Sequence, residues 1–121
     1  MMEQALLFLL LVVTAAVGDD TNARVVEVRC GTEVALNATV FLPSLIANMD
    51  GTREQVRAAG FGISTSGADH SLALCYRGLP ALGCMPCYSA ARTTLPGCFP
   101  YIGGRVYLDG CFMRAEKYDF Y

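Results

Sequence analysis

Six cysteines carry most of the chemistry this chain could do: Cys30, Cys75, Cys84, Cys87, Cys98 and Cys111. Two of them form Cys84-Met85-Pro86-Cys87. A Cys-x-x-Cys pair can ligate zinc or run thiol exchange. A tetrahedral zinc site needs two more ligands at matching spacing, and His70 is the only histidine. In an oxidising compartment, an even cysteine count in a chain this short reads instead as a disulfide framework. Six cysteines allow fifteen connectivities, and spacing by itself does not select one. Nucleophilic catalysis needs a base beside the nucleophile. His70 stands between Asp69 and Ser71, and sequence neighbours on a strand point to opposite faces. A surface turn is the expectation there. With no Gly-rich phosphate loop and no paired acids in a recognisable motif, neither an enzyme nor a cofactor is expected.

The oxidising compartment is itself a reading of the N-terminus. Ala5 to Val13 is apolar, and Thr14-Ala15-Ala16-Val17-Gly18 is built of small residues. A short apolar core followed by small residues is what signal peptidase accepts. Cleavage after Gly18 leaves Ala16 and Gly18 at the two positions that must be small. The alternatives are a buried core helix or a retained anchor, and Glu3 stands where a positive charge is usual. The run is shorter than the roughly 20 apolar residues a bilayer span needs. The expected organisation is a signal peptide over 1–18 and one domain over 19–121. Without Glu3, 9 basic side chains face 10 acidic ones. That balance favours neither nucleic acid nor an anionic membrane surface. Eight arginines stand against one lysine, a bias that suits planar, bidentate bonding to carboxylates or hydroxyl-rich ligands.

The elements that would hold these residues follow from periodicity. Val25 to Cys30 alternates β-branched residues with Glu27 and Arg29, as a strand does. Phe41, Leu45, Ile46, Met49, Val56 and Ala59 recur at helical spacing over about 40–59. Pro43 fits the first turn, so this helix should begin near Phe41. Asp50-Gly51 could divide it, and Gly60 should stop it. Phe61 to Ser66 and His70 to Arg77 read as strands, the second with Leu72 and Leu74 on one face. Gly78 to Gly83 reads as a loop. A helix is predicted over Cys84 to Leu95, with Cys87, Ala90, Ala91 and Leu95 sharing a face and Pro96-Gly97 ending it. Gly103 to Leu108 and Cys111 to Tyr118 read as strands joined at Asp109-Gly110. The fold class is α+β: two helices packed on a five-stranded antiparallel sheet. Asn37-Ala38-Thr39 is an N-glycosylation sequon, which places the approach to the first helix at the surface.

Cys75, then eight residues, Cys84, two residues and Cys87 make a C-x8-C-x2-C signature. With it stand Gly60-Phe61, the run Ala73-Leu74-Cys75-Tyr76-Arg77-Gly78-Leu79, Leu95-Pro96-Gly97-Cys98, and the long run from Gly104 to Arg114. Over roughly residues 25–121 the chain resembles the plant cysteine-rich stress-antifungal domain, also called ginkbilobin-like. That domain occurs in the ectodomains of cysteine-rich receptor-like kinases and in related secretory proteins. The resemblance implies the same two helices on a five-stranded sheet. It also implies the pairing Cys30–Cys98, Cys75–Cys84 and Cys87–Cys111. Such bridges are worth roughly 3 to 4.5 kcal/mol each by loop entropy, which matters in a domain with a modest core.

Antifungal members of that family bind mannose through an Asn after the first cysteine, an Arg in the penultimate strand and a Glu in the last. By position the Arg is Arg105 and the Glu is Glu116, while the Asn is replaced by Gly31. Arg donates, Glu accepts and Asn does both, so Gly31 removes one third of that site. The alternative for Arg105 and Glu116 is a cross-strand ion pair. Tyr107, Tyr118 and Tyr121 could stack on sugar or could be ordinary half-buried packing. The resemblance implies an extracellular recognition module of the receptor-like kinase ectodomain type, acting in plant stress or defence signalling. The second reading is a secreted mannose-binding antifungal protein. The expected partner is a cell-surface or apoplastic protein, or a mannose-type glycan. In receptors of this kind two such domains precede a membrane helix and a kinase. None of these follows Tyr121, so a truncated product, a fragment or a stand-alone secreted form is expected. No kinase motif lies in these residues, and no interface for self-association is legible.

Overall fold

The computed structural model describes residues 22–121. The expected signal peptide over 1–18 lies outside them. β1 spans Val25–Val34, α1 Ala38–Asp50, α2 Arg53–Ala59, β2 Phe61–Ser66, β3 Asp69–Cys75 and α3 Ala81–Thr94. A short 3-10 turn, Leu95–Cys98, then leads to β4, Tyr101–Leu108, and β5, Cys111–Glu116. The strands form one antiparallel sheet in the order β1-β4-β5-β3-β2. All helices cover one face of it. The α+β class therefore holds, with the first helical arm divided into α1 and α2.

That division has a physical cause. A β-carbon at Gly51 would run into the Ser64 side chain. Beside it, the Met49 carbonyl accepts hydrogen bonds from the Thr52 hydroxyl (2.7 Å) and the Tyr88 hydroxyl (2.8 Å). Thr52 is fully buried, so the break is part of the core. Gly60 then ends α2 at φ 75°, a left-handed conformation that glycine adopts without steric cost.

Two helix starts differ from the sequence reading. α1 begins three residues before Phe41, which puts Pro43 in its second turn. Proline there forfeits the bond to the Thr39 carbonyl, but Thr39 is exposed and water can serve it. α3 begins at Ala81, three residues before Cys84, with Pro80 as its cap. Strand ends also shift. β3 starts at Asp69, so His70 lies within a strand and not in a turn, and β3 stops at Cys75, two residues before Arg77, with the Tyr76 N–H still bonding the Gly110 carbonyl at 3.0 Å. β4 starts two residues before Gly103, and β5 ends two residues before Tyr118.

The core lies between the helices and one sheet face. Met49, Val56, Tyr88, Ala91 and Leu95 meet Ala73, Val106, Leu108, Met113 and Ala115. Leu72 and Leu74 do share a face, but it is the face away from the helices. The helix side of β3 carries Ser71 and Ala73, small enough for the helices to pack close. On the uncovered face the register aligns residues in rows. One row runs Glu27, Tyr107, Phe112, Leu74, Phe61; the next runs Arg29, Arg105, Arg114, Leu72, Ile63. The β2 side of this face is apolar, with Phe61 48% and Ile63 39% exposed, and the β1 side is charged.

The bridges join Cys30 to Cys98, Cys75 to Cys84 and Cys87 to Cys111, with Cα separations of 5.2, 5.6 and 6.0 Å. These lie within the usual range for an unforced bridge. Cys84 and Cys87 thus have different partners, and neither sulfur is left as a thiolate for zinc or thiol exchange. A non-reduced tryptic digest tests this. Cleavage after arginine should release one three-chain species, peptides 58–77, 78–92 and 106–114, and a separate pair of peptides 30–53 and 93–105. A two-chain species of 58–77 with 106–114 would mean that Cys84 is bonded to Cys87 and would contradict the structure.

Candidate ligand-binding pocket

β1 is an edge strand, and its second half breaks register with β4 between Cys30 and Glu33. Such a bulge inserts an extra residue and re-aims the side chains around it. Gly31 makes it possible: a β-carbon there would collide with the Ile102 carbonyl oxygen. The Cys30–Cys98 bridge fixes the strand just before the bulge. Beside it opens a pocket of about 380 Å³, lined chiefly by Arg29, Thr32, Glu33, Arg105, Glu116 and Tyr118. This size falls within the usual span for small-ligand pockets, roughly 300–1,000 Å³.

Arg105 and Glu116 both line this pocket, so the two residues named from sequence are brought to one place. They are not paired with each other. Glu116 instead accepts from Arg114 at 2.9 Å, and the Tyr118 hydroxyl donates to Glu116 at 3.3 Å. Arg114 also donates to the Tyr118 oxygen at 2.7 Å, and its guanidinium lies 4.3 Å from the Phe120 ring centroid. The expected Arg105–Glu116 ion pair is therefore replaced by a same-strand pair, two residues apart on β5. Burial opposes the Arg114 charge, but the bonds to Glu116 and Tyr118 outweigh it and raise its pKa. The side chains of Arg114 and Glu116 are only 19% and 10% exposed. A pair this sheltered holds its geometry better than a surface one.

Gly103 makes room for this arrangement. It sits at φ 81°, and a β-carbon there would meet the Glu116 carboxylate. Arg29, opposite Arg105 on β1, is held by Glu27 at 2.8 Å. Arg105 stands between Arg29 and Arg114 and has no ion-pair partner among the described residues.

The other named residues are scattered. Tyr107 packs on Phe112 with centroids 5.0 Å apart, away from the pocket. The Tyr121 hydroxyl donates to the Ser64 carbonyl at 3.0 Å on β2, and its ring meets His70 edge-on. Only Tyr118 borders the pocket, so no three-tyrosine platform exists. Asp69 and Ser71 diverge from His70, bonding Ser44 and Asn48 on α1. Asn37 is exposed at the cap of α1, with the Thr39 hydroxyl 2.7 Å from its Oδ1. Sequence reasoning missed Arg114, Thr32, Glu33 and Gly103. The Arg114-x-Glu116 spacing, same face on a strand, was the available signal for the first. Nothing local marked the bulge beyond Gly31.

No protein-family model matches the chain. Among curated proteins, cysteine-rich receptor-like protein kinase 2 of Arabidopsis thaliana is 44% identical over 120 residues, covering 96% of this chain and 18% of that protein. Cysteine-rich receptor-like protein kinase 42 of the same plant is 30% identical over 107 residues, covering 85% of this chain and 16% of that protein. The chain thus spans less than a fifth of the length of these relatives. Among solved structures, the tandem DUF26 ectodomain of the Arabidopsis thaliana cysteine-rich receptor-like protein PDLP5 superposes with a TM-score of 0.67 at 21% identity, covering 79% of this chain and 46% of that one. The corresponding ectodomain of PDLP8 gives 0.66 at 20% identity, covering 81% and 46%. At these identities the structural likeness speaks for the fold.

Installing the absent side chain is a direct test of the Gly31 contact. Gly31→Asn should lower stability by about 1–3 kcal/mol, because the new β-carbon forces β1 away from Ile102. Urea denaturation of the two proteins measures it. An unchanged midpoint would contradict the close approach.

Proposed function

Because this chain is a domain of the plant cysteine-rich stress-antifungal (ginkbilobin-like, DUF26) family, as found in cysteine-rich receptor-like kinases, we propose that it is an extracellular recognition module serving plant stress or defence perception. The observation that carries this reading is the pocket beside the β1 bulge. It gathers donors and acceptors from β1, β4 and β5 on a disulfide-held frame. An open space walled by polar side chains from separate strands suits recognition of a small polar ligand. Any kinase activity would belong to a longer gene product. On this reading Met1–Gly18 directs export and Asn37 carries an N-linked glycan. The apolar half of the uncovered sheet face, around Phe61 and Ile63, is where a cell-surface or apoplastic protein would dock.

A mannose-binding, antifungal role is the second reading, and one observation favours it: Arg105 and Glu116 share the pocket. Against it, Glu116 is engaged by Arg114, and Gly31 leaves no space for an amide side chain. Mannose titration of the oxidised chain, followed by amide chemical shifts, separates the two. The expected result is no saturable shift at millimolar mannose. Saturable shifts near Arg105 and Glu116 that vanish in Glu116→Ala would put the lectin reading first.

A further inference from the structure

β1 and β2 are the two edges of the sheet. An edge strand offers unpaired backbone groups to a second chain, and charge, bulges or a covering element discourage that pairing. β1 has its bulge and carries Glu27, Arg29 and Glu33. β2 has neither protection. Its six residues, Phe61 to Ser66, hold no charge and no proline, and it pairs with β3 without a break in register. Phe61 and Ile63 are also exposed. By composition, β2 is the edge that should take on a further strand.

One side chain of α2 stands in the way. The Gln55 Nε2 donates to the Ile63 carbonyl at 2.7 Å, and the Ile63 N–H donates to the Gln55 Oε1 at 3.2 Å. In an antiparallel ladder, a residue either exchanges both bonds with its neighbour or turns both groups away from it. Ile63 turns both away from β3. A side-chain amide then makes the two bonds that a residue of a further strand would make. Nε2 also donates to the Gly51 carbonyl at 3.1 Å, so both donors of the amide are used and it is held from the helix as well. Gly62 allows α2 to come this close, since a β-carbon there would meet the Thr52 carbonyl and the Gln55 β-carbon.

We propose that Gln55 seals the β2 edge and keeps two copies of this chain from joining their sheets by antiparallel β2 pairing. A second copy fits this edge because the strand complements itself. Centred on Ile63, the pairing sets Ile63 against its copy and Phe61 against Thr65, an aromatic residue opposite a β-branched one. No like charges meet, and the same edge serves both copies, as two-fold symmetry requires. This device is separate from the pocket beside the β1 bulge.

The test uses the full chain with its disulfides formed, as the parent and as Gln55→Ala. Alanine is the best helix former, so α2 keeps its conformation. At high dilution, the Ile63 amide should exchange hydrogen about five- to tenfold faster in Gln55→Ala, as the loss of one hydrogen bond warrants. In sedimentation from about 10 μM to 1 mM, the parent should stay at the monomer mass and Gln55→Ala should rise toward twice that mass. Adding Ile63→Lys to Gln55→Ala should restore the monomer, because the two lysines would face each other across the junction. Unchanged exchange at Ile63 would show that Gln55 does not cover the edge. A Gln55→Ala chain that associates no more than the parent would overturn the sealing role. A dimer that survives Ile63→Lys would place the contact elsewhere and overturn the β2 pairing.

Discussion

Cys84 and Cys87 stand one turn apart at the start of α3, and their sulfurs leave in different directions. Cys84 bonds Cys75 at the end of β3, and Cys87 bonds Cys111 at the start of β5. β3 and β5 are neighbours, and Cys75 and Cys111 are register partners. One helical turn is therefore bonded to two adjacent strands at a single height. This fixes both the rotation of α3 and its distance from the sheet. With α3 held, Tyr88 reaches the Met49 carbonyl at the break between α1 and α2. The placement of the whole helical layer depends on that junction. The three loops differ in length, with separations of 9, 24 and 68 residues. By loop entropy they restrict the unfolded chain by about 2.6, 3.4 and 4.4 kcal/mol. In a domain this size such terms are comparable with the whole net stability, about 5–15 kcal/mol.

The third bridge serves a different end of the molecule. Cys30–Cys98 clamps the edge strand where β1 is about to bulge. Edge strands with free backbone groups are prone to pair wrongly, and a bulge next to a covalent tie is one way to blunt them. Beside the same bulge, Thr32 and Glu33 line the pocket together with Arg105. The pocket thus depends on two glycines with different tasks. Gly31 lets β1 lie against the Ile102 carbonyl, and Gly103 leaves space for the Glu116 carboxylate. Charge is then distributed by register, with an arginine that has no ion-pair partner among the described residues standing between two paired ones.

Much of the architecture was legible because its signals are local. β2 was read to its ends from Phe61 to Ser66, and Gly60 stops α2 through its left-handed φ. The C-x8-C-x2-C spacing carried the resemblance and, through it, the implied pairing. Helix starts were less legible, since Pro43 and Pro86 lie in second turns where context tolerates them. The facing of Leu72 and Leu74 was hidden for a related reason: alternation says which residues share a face, not which face the helices cover. The pocket was half legible. Arg105 and Glu116 meet there, but the choice of Arg114 as the Glu116 partner depends on where Tyr118 and Gly103 sit after folding. That is tertiary information, and no spacing rule contains it.

The divergent bridges at the start of α3 organise the fold. Replacing Cys87 and Cys111 together with alanine leaves Cys75–Cys84 and Cys30–Cys98 able to form. Urea unfolding and amide hydrogen exchange of this variant measure what the Cys87–Cys111 bridge holds in place. The expected result is a loss of about 3 kcal/mol, with protection lost first in α3 and β5. An unchanged midpoint, with α3 and β5 amides protected as before, would mean that the bridges do not organise the fold.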